Sequence, residues 1–335
     1  MTYLDAYLHN VAELIDVPGN NGVYLSRIPS DVAGIINEGA SNVSCYPAGC
    51  EIRFNLNGGR ASIILEADQE QREMAEVWHG SFPVTGWHLV HNKPSRVDVQ
   101  QPMYPDDLTR IADQENLYFD SKLVRILLPY RPKLRLIAVE GNISPAARDQ
   151  MPRLRCLAYG SSITQGAQAI RPSGTYVFRT AQLLCADVYN LGFSGSAHCD
   201  PTLADWIASK MDWDFAILEL GINMVRDFSE TSFTDRVSYF IKRIAEAHPD
   251  RWIFCIDMFL FLRSEMCSVE KRESFRGIVK DVVRKLDTPR LVHIRGDDLL
   301  RNPANLTTDL VHPSPAGMEE IACALANAIK KKMQS

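Results

Sequence analysis

Residues 154–166 read LRCLAYGSSITQG: an apolar run from Leu154 to Gly160, the pair Ser161-Ser162, then Ile163-Thr164-Gln165 and Gly166. An apolar run that breaks at Gly-Ser-Ser predicts a buried strand turning sharply into a helix. Outward from it the same alternation recurs. VYNLGF (188–193), FAILELG (215–221), RWIFCIDMF (251–259) and LVHIRG (291–296) are near-continuous apolar runs, as in strands covered on both faces. Between them Val237, Phe240, Ile241, Ile244 and Ala245 fall at helical spacing. Phe275, Ile278, Val279, Val282, Val283 and Leu286 do so again. Ser314 as N-cap and Pro315 as first helical residue open a last helix. Strands and helices in alternation predict an open, five-stranded parallel sheet in a three-layer α/β/α domain, assigned to residues 149–335.

Before residue 150 the pattern differs. EIRFNL (51–56) and RASIILEA (60–67) flank Asn57-Gly58-Gly59, which predicts a hairpin. GWHLVH, SRVDVQ, SKLVRILLPY and KLRLIAVEG are further strand-like runs, and no helical period shows between Cys45 and Val139. Such segments predict an antiparallel, jelly-roll-like β-sandwich over residues 1–148 with a possible substrate-binding role. GNISPAARDQMPR (141–153) is the expected linker.

Composition bounds the rest. Of 335 residues, 46% are hydrophobic and 23% charged, so either half can build a core. A net charge of -5 with one basic run, Lys330-Lys331-Lys332, excludes a nucleic-acid footprint, and that run reads as a solvated helix end. No stretch is long and apolar enough for a membrane span, and the N-terminus has no signal-peptide h-region. Cys156, Cys185, Cys255 and Cys323 read as buried thiols, while only Cys45 and Cys50 are close enough to invite a disulfide. A reducing, cytoplasmic compartment is the expectation, with export left open because a removed leader leaves no trace. Oligomeric state is not legible.

Functional residues of such sheets gather at the carboxyl ends of the strands. Polar segments stand there: Gly160–Gly166, Asn190–Gly195, Glu219–Asn223, and Thr308–Pro313 before the last helix. Each alone reads as a turn. Together they hold the parts of an acyl-transfer site. Ser162 is the candidate nucleophile, His312 its base, and Asp309 the group that orients the imidazole. The N–H groups of Ser162 and Gly195 with the amide of Asn223 are candidates for an oxyanion hole.

The order GSSITQG, NLGFSG, ELGIN, TDLVHP resembles the four sequence blocks of the SGNH (GDSL) hydrolases, over residues 154–330. The resemblance implies a flavodoxin-like fold, with Ser162 as nucleophile, Gly195 and Asn223 in the oxyanion hole, and Asp309 and His312 as acid and base. Ser161 stands where the family usually has Asp, which removes a carboxylate near the nucleophile. Met224 stands where Asp is common, which makes the pocket more apolar. A β-rich segment ahead of these blocks resembles two-domain members, among them carbohydrate esterases and GDSL-type acyltransferases. The implied substrate is a small acyl ester, an acetyl ester on a carbohydrate above all, with the sandwich walling one side of the cleft and no cofactor or metal. The alternatives are transfer of the acyl group to a hydroxyl acceptor, or a non-catalytic carbohydrate-binding relative.

Other residues weigh less. His198 and Asp200 are placed at the pocket in a loop-stabilising or substrate-orienting role, since two ligands without a third do not make a metal site. His79, His88, His91 and His293 read as structural, and Trp78 and Trp87 as core in preference to a sugar-stacking surface. Gly160–Gly166 lacks the ending of a phosphate loop. Nothing favours Cys199 over Ser162 as nucleophile.

Overall fold

The structure, a computed structural model, describes residues 1–334 apart from Pro18, Asn20, Gln71, Arg72, Trp87, Lys210 and Met211. The reading of Trp87 therefore lies outside the described residues. The N-terminal chain is an antiparallel β-sandwich. Its strands are β1 (Thr2–Tyr3), β2 (Ala6–His9), β3 (Glu13–Asp16), β4 (Val23–Ser26), β5 (Glu51–Ala67), β6 (Glu73–His79), β7 (Phe82–Pro83), β8 (His88–Val90), β9 (Ser95–Gln100), β10 (Leu123–Leu127) and β11 (Leu134–Pro145). β5 is the spine. It pairs with β11 along most of its length, with β2 and β10 at its start, and with β9 at its end. Alternate residues such as Ile52, Phe54, Ile63, Leu65, Val97 and Val99 point inward and close one apolar core.

Two local readings change here. Asn57-Gly58-Gly59 is no hairpin turn, because β5 runs through it as one strand. Leu56 pairs with Ile143 and Ala61 with Gly141, so residues 57–60 stand opposite Asn142 alone. The glycines serve a bulge that bends the strand between its two neighbours. The 3₁₀ turn Arg148–Gln150 follows β11, which continues to Pro145, so the connection to the second sheet begins later than the composition of residues 141–145 suggested.

Helices α1 (Ser30–Ala33) and α2 (Glu38–Val43) follow β4, and α3 (Pro105–Gln114) follows β9. α3 is short and its apolar stripe is only Leu108, Ile111 and Ala112, of which Ala112 alone is buried, so periodicity has too few turns to register it. Its signals are Pro105 at the first turn and Asp106 and Asp107 beside it.

The second half forms β12 (Leu154–Gly160), β13 (Ala186–Gly192), β14 (Phe215–Glu219), β15 (Trp252–Ile256) and β16 (Leu291–Ile294). All neighbours are parallel, in the order β13-β12-β14-β15-β16, the doubly wound order of flavodoxin-like sheets. Between and after the strands lie α4 (Ser162–Gln165), α5 (Tyr176–Leu183), α6 (Pro201–Ser209), α7 (Glu230–Ala247), α8 (Val269–Leu286), α9 (Gly296–Leu299) and α10 (Pro315–Met333). Cys156 and Ala158 of β12 face the layer holding α5 and α10; Leu157 and Tyr159 face the layer of α6, α7 and α8. Both faces are covered, so the strand must be apolar throughout, and each fully buried Leu, Ile or Phe contributes roughly 1.5–3 kcal/mol. Ser314 caps α10 by accepting from Gly317 N–H. Of the thiols, Cys156 and Cys255 are buried. Cys185 and Cys323 are exposed instead, one at the left-handed residue after α5 and one on the outer side of α10, and Cys45 and Cys50 are free.

The sandwich meets the parallel sheet along its edge strand. The outward carbonyls of β13 take side-chain donors from the N-terminal chain: His9 Nε2 to Val188 at 2.7 Å, Asn10 Nδ2 to Asn190 at 3.1 Å, and Arg27 Nη1 to Asn190 at 3.1 Å and Gly192 at 2.8 Å. An otherwise unpaired edge is thereby closed. Beside it Arg53 holds Asp187 with both terminal nitrogens, and Glu51 bridges Arg53 and Arg125.

Candidate active site

β12 ends at Gly160 and the chain turns into α4. Ser161 is the N-cap, its Oγ accepting from Ile163 N–H at 3.1 Å, which leaves Ser162 as first helical residue at the carboxyl edge of the sheet. Ser162 is 9% exposed and borders a cleft of about 500 Å³. Its Oγ lies 2.8 Å from His312 Nε2, and His312 Nδ1 lies 2.6 Å from Asp309 Oδ2. A carboxylate on Nδ1 fixes the proton there, so Nε2 is the nitrogen free to accept from the serine hydroxyl.

The Asp309–His312 loop is tied at both ends. Thr307 N–H donates to the His312 carbonyl, Leu306 bridges Pro313, and Leu310 turns through a left-handed conformation. Asp309 Oδ1 accepts from the Thr307 hydroxyl and from the N–H groups of Val311 and His312. Burial raises the Asp309 carboxyl, but the bonds from His312, Val311 and Thr307 outweigh it and hold it well below the usual carboxylate range.

Gly195 and Asn223 border the same cleft. Gly195 has φ +70°, a backbone that favours glycine, and no atom crowds the place a Cβ would take. The Asn223 amide oxygen accepts Ala197 N–H at 3.1 Å, so its NH₂ is the free end. Ser194 N–H is already spent on Gln165 Oε1, and Gln165 Nε2 donates to the Tyr130 carbonyl of the sandwich. The His198 ring lies against Phe228, and burial pushes its imidazole down, opposed by Asp200 and by the backbone of Gly195 and Asn223.

The remaining candidates lie elsewhere. Ser161 and Met224 are fully buried, Met224 within the core of the α6–α8 layer. Asp200 is buried and accepts Asn37 N–H and Nδ2, so it anchors the loop before α2. Among the described residues the cleft lining comes wholly from the second half: Ile222, Arg226, Asp227, Arg263, Glu265, Met266 and Val311 join the residues above. The sandwich thus supports the site from behind and does not wall it. Cys199 is fully buried and its thiol is pushed up to about 12 by burial, which disqualifies it as a nucleophile. Trp78 is core, against Phe178 and Arg125, and His293 is bonded to Asp257.

Sequence reading missed Glu219, Gln165 and Arg27. Glu219, last in β14, is buried with its Oε2 on Ser161 N–H at 2.6 Å. A charged residue closing an apolar strand was the available signal.

Fold and site together define a hydrolase of the SGNH class. The chain belongs to the GDSL-like lipase/acylhydrolase family, whose model matches residues 154–330. No curated protein matches the chain. Among solved structures it is similar to a salicylyl-acyltransferase, SsfX3, from a tetracycline biosynthetic pathway (18% identity, 98% of this chain and 94% of that one, TM-score 0.80). It is similar also to a putative GDSL-like lipase from Bacteroides ovatus (19% identity, 98% of each chain, TM-score 0.69). A family two carbohydrate esterase from Clostridium thermocellum, solved with cellohexaose, shares the fold at 15% identity (85% of this chain, 92% of that one, TM-score 0.61). At these identities the likeness concerns the fold.

Proposed function

We propose that the chain is a serine esterase for small acyl esters, acetyl esters on carbohydrate hydroxyls in particular, working through an acyl intermediate on Ser162. The observation that carries this reading is the unbroken line Asp309–His312–Ser162, with bonds of 2.6 and 2.8 Å, opening on a cleft of about 500 Å³. Ser162 Oγ attacks the ester carbonyl as His312 Nε2 takes its proton, and Asp309 stabilises the imidazolium. The N–H groups of Ser162 and Gly195 and the Asn223 amide hold the oxyanion. The tetrahedral species collapses, and the leaving alkoxide takes the proton from His312. Water, deprotonated by the same nitrogen, then releases the acid. No step calls for a cofactor.

The carbohydrate part of the reading is supported by the esterases that share the fold and by a cleft rim of paired donors and acceptors, Arg226–Asp227 and Arg263–Glu265, which suits hydroxyl groups. The sandwich, residues 1–148, acts as the support of residues 190–195. A hydroxyl acceptor in place of water gives the acyltransferase reading, favoured by the likeness to SsfX3.

The test is hydrolysis of short-chain p-nitrophenyl esters by wild type, Ser162→Ala and His312→Ala, followed by acetylated sugars. Each variant is expected to lose about 10³-fold or more. Turnover that survives in Ser162→Ala would overturn the assignment. Acyl transfer to an added alcohol at the expense of hydrolysis would select the transferase.

A further inference from the structure

Position 161 carries Ser, without a carboxylate beside the nucleophile, yet the turn has one from the neighbouring strand. Glu219 is 1% exposed. Its Oε2 accepts Ser161 N–H at 2.6 Å and the Thr164 hydroxyl at 3.1 Å, and Thr164 Oγ1 lies 2.7 Å from Tyr176 OH. Both ends of the α4 turn are thus hung on one oxygen, with Ser162 between them. Gly160 leaves the room: a Cβ there would strike the Thr164 hydroxyl and come within 2.5 Å of Glu219 Oε2. Among the described residues no arginine or lysine pairs with Glu219, and its Oε1 is buried without a hydrogen-bond partner. A buried acid without a cation is costly, and nothing in the core requires it. Tyr176 reaches this carboxylate through the Thr164 hydroxyl, and His312 through Ser162, its Nε2 lying 2.8 Å from the Oγ of the residue that the Glu219-held turn carries. With Cys199 these are the titratable groups whose charge acts on Glu219, and only the imidazole can become a cation.

We infer that Glu219 is a positioning residue of the acyl-transfer site: its carboxylate fixes the Ser161–Thr164 turn beneath the nucleophile and favours the imidazolium that forms on His312. Burial raises this carboxyl above the ordinary Glu value, opposed by the bonds from Ser161 and Thr164. Its charge is therefore lost at a higher pH than that of an exposed Glu. The inference rests on Ser162 and His312 acting as proposed.

Glu219→Gln separates charge from shape. An amide oxygen can take over both bonds, and the NH₂ lies where Oε1 now has no partner. The expected result is KM within about twofold, kcat lower by about 10–100-fold, and an acid limb of kcat/KM displaced to lower pH. Unchanged kcat with an unmoved acid limb, whatever happens to the melting temperature, would overturn the inference and leave Glu219 a structural residue. Loss of kcat with the acid limb in place would overturn the charge in favour of shape alone. Labelling by an organophosphonate, read by mass spectrometry, keeps the two readings apart. A wild type that is not labelled on Ser162 fails the proposed site. A labelled wild type matched in rate by Glu219→Gln fails only this inference.

Discussion

Arg27 Nη1 donates to the carbonyl oxygen of Gly192 across 2.8 Å, joining the sandwich to the strand that leads into the glycine loop of the site. The same guanidinium holds the carbonyls of Asn190, Tyr46 and Val43 and lies over the Phe193 ring. Among the described residues no carboxylate pairs with it. Burial lowers it to about 10, so it stays charged at neutral pH. Arg27→Met leaves buried carbonyls unbonded and is expected to cost about 2–4 kcal/mol in urea unfolding, with a parallel loss of kcat as residues 190–195 loosen. Arg27→Lys recovers only part, because an ammonium lacks the planar fork. An unchanged unfolding midpoint in Arg27→Met would show that these bonds carry no net stability.

Asp309→Asn keeps the loop but not the tautomer of His312. The expected loss in kcat is about 10⁴-fold with folding intact, since the residue is partly exposed. Because Asp309 is held well below the usual carboxylate range, it stays ionised through mild acid and does not set the acid limb of the wild type. A variant with wild-type kcat would remove Asp309 from the mechanism.

Asn223→Ala tests the oxyanion hole. Asn223 lines the cleft with its Oδ1 taken by Ala197 N–H, which leaves the NH₂ to donate, so kcat should fall by about 10²–10³-fold while KM for a short ester barely moves. Gly195→Ala is the contrasting case. It keeps the N–H but forces alanine to φ +70°, at a cost of roughly 1–2 kcal/mol, and should lose stability before chemistry. Equal effects of the two substitutions on kcat would contradict the division of roles.

What the sequence disclosed follows from range. The strand–turn–helix around Ser162, the Asp309-x-x-His312 loop and the helical faces at Val237 and Phe275 are local patterns, and the structure contains each of them. The site's supports are not local. Arg27 and Gly192 are 165 positions apart, Arg53 and Asp187 134. Such bonds have no sequence signature, because a buried Arg reads like a surface one until its partner is known. Asn57-Gly58-Gly59 shows the opposite failure. Its composition suits a turn, but both flanks find the same partner strand, so the bend becomes a bulge. Met224 was placed in the pocket by its neighbour Asn223; one residue along the turn, the side chain points into the core.

His9 is buried against the edge of the parallel sheet. Burial, with Arg53 alongside, lowers its imidazole from 6.5 to about 4, although Asp187 Oδ1 is 3.3 Å away. The neutral ring donates from Nε2 to the Val188 carbonyl. In the unfolded chain the same ring takes up a proton as the pH falls below 6.5. Between that pH and about 4 the unfolded state binds more protons, so stability must fall as the pH falls. A shift of this size is worth about 3 kcal/mol, lost across that window and complete below it. Glu51 and Asp187 are held low by Arg125 and Arg53 despite their burial, and stay ionised there. His9→Gln keeps a donor for Val188 and has no proton to gain. The difference in unfolding free energy between wild type and His9→Gln should therefore shrink by about 3 kcal/mol from pH 7 to pH 4, read from urea midpoints. A difference that stays flat would mean that the folded ring takes up its proton in step with the unfolded one, with Asp187 offsetting the cost of burial; a difference that grows toward acid would mean that the fold holds the ring protonated.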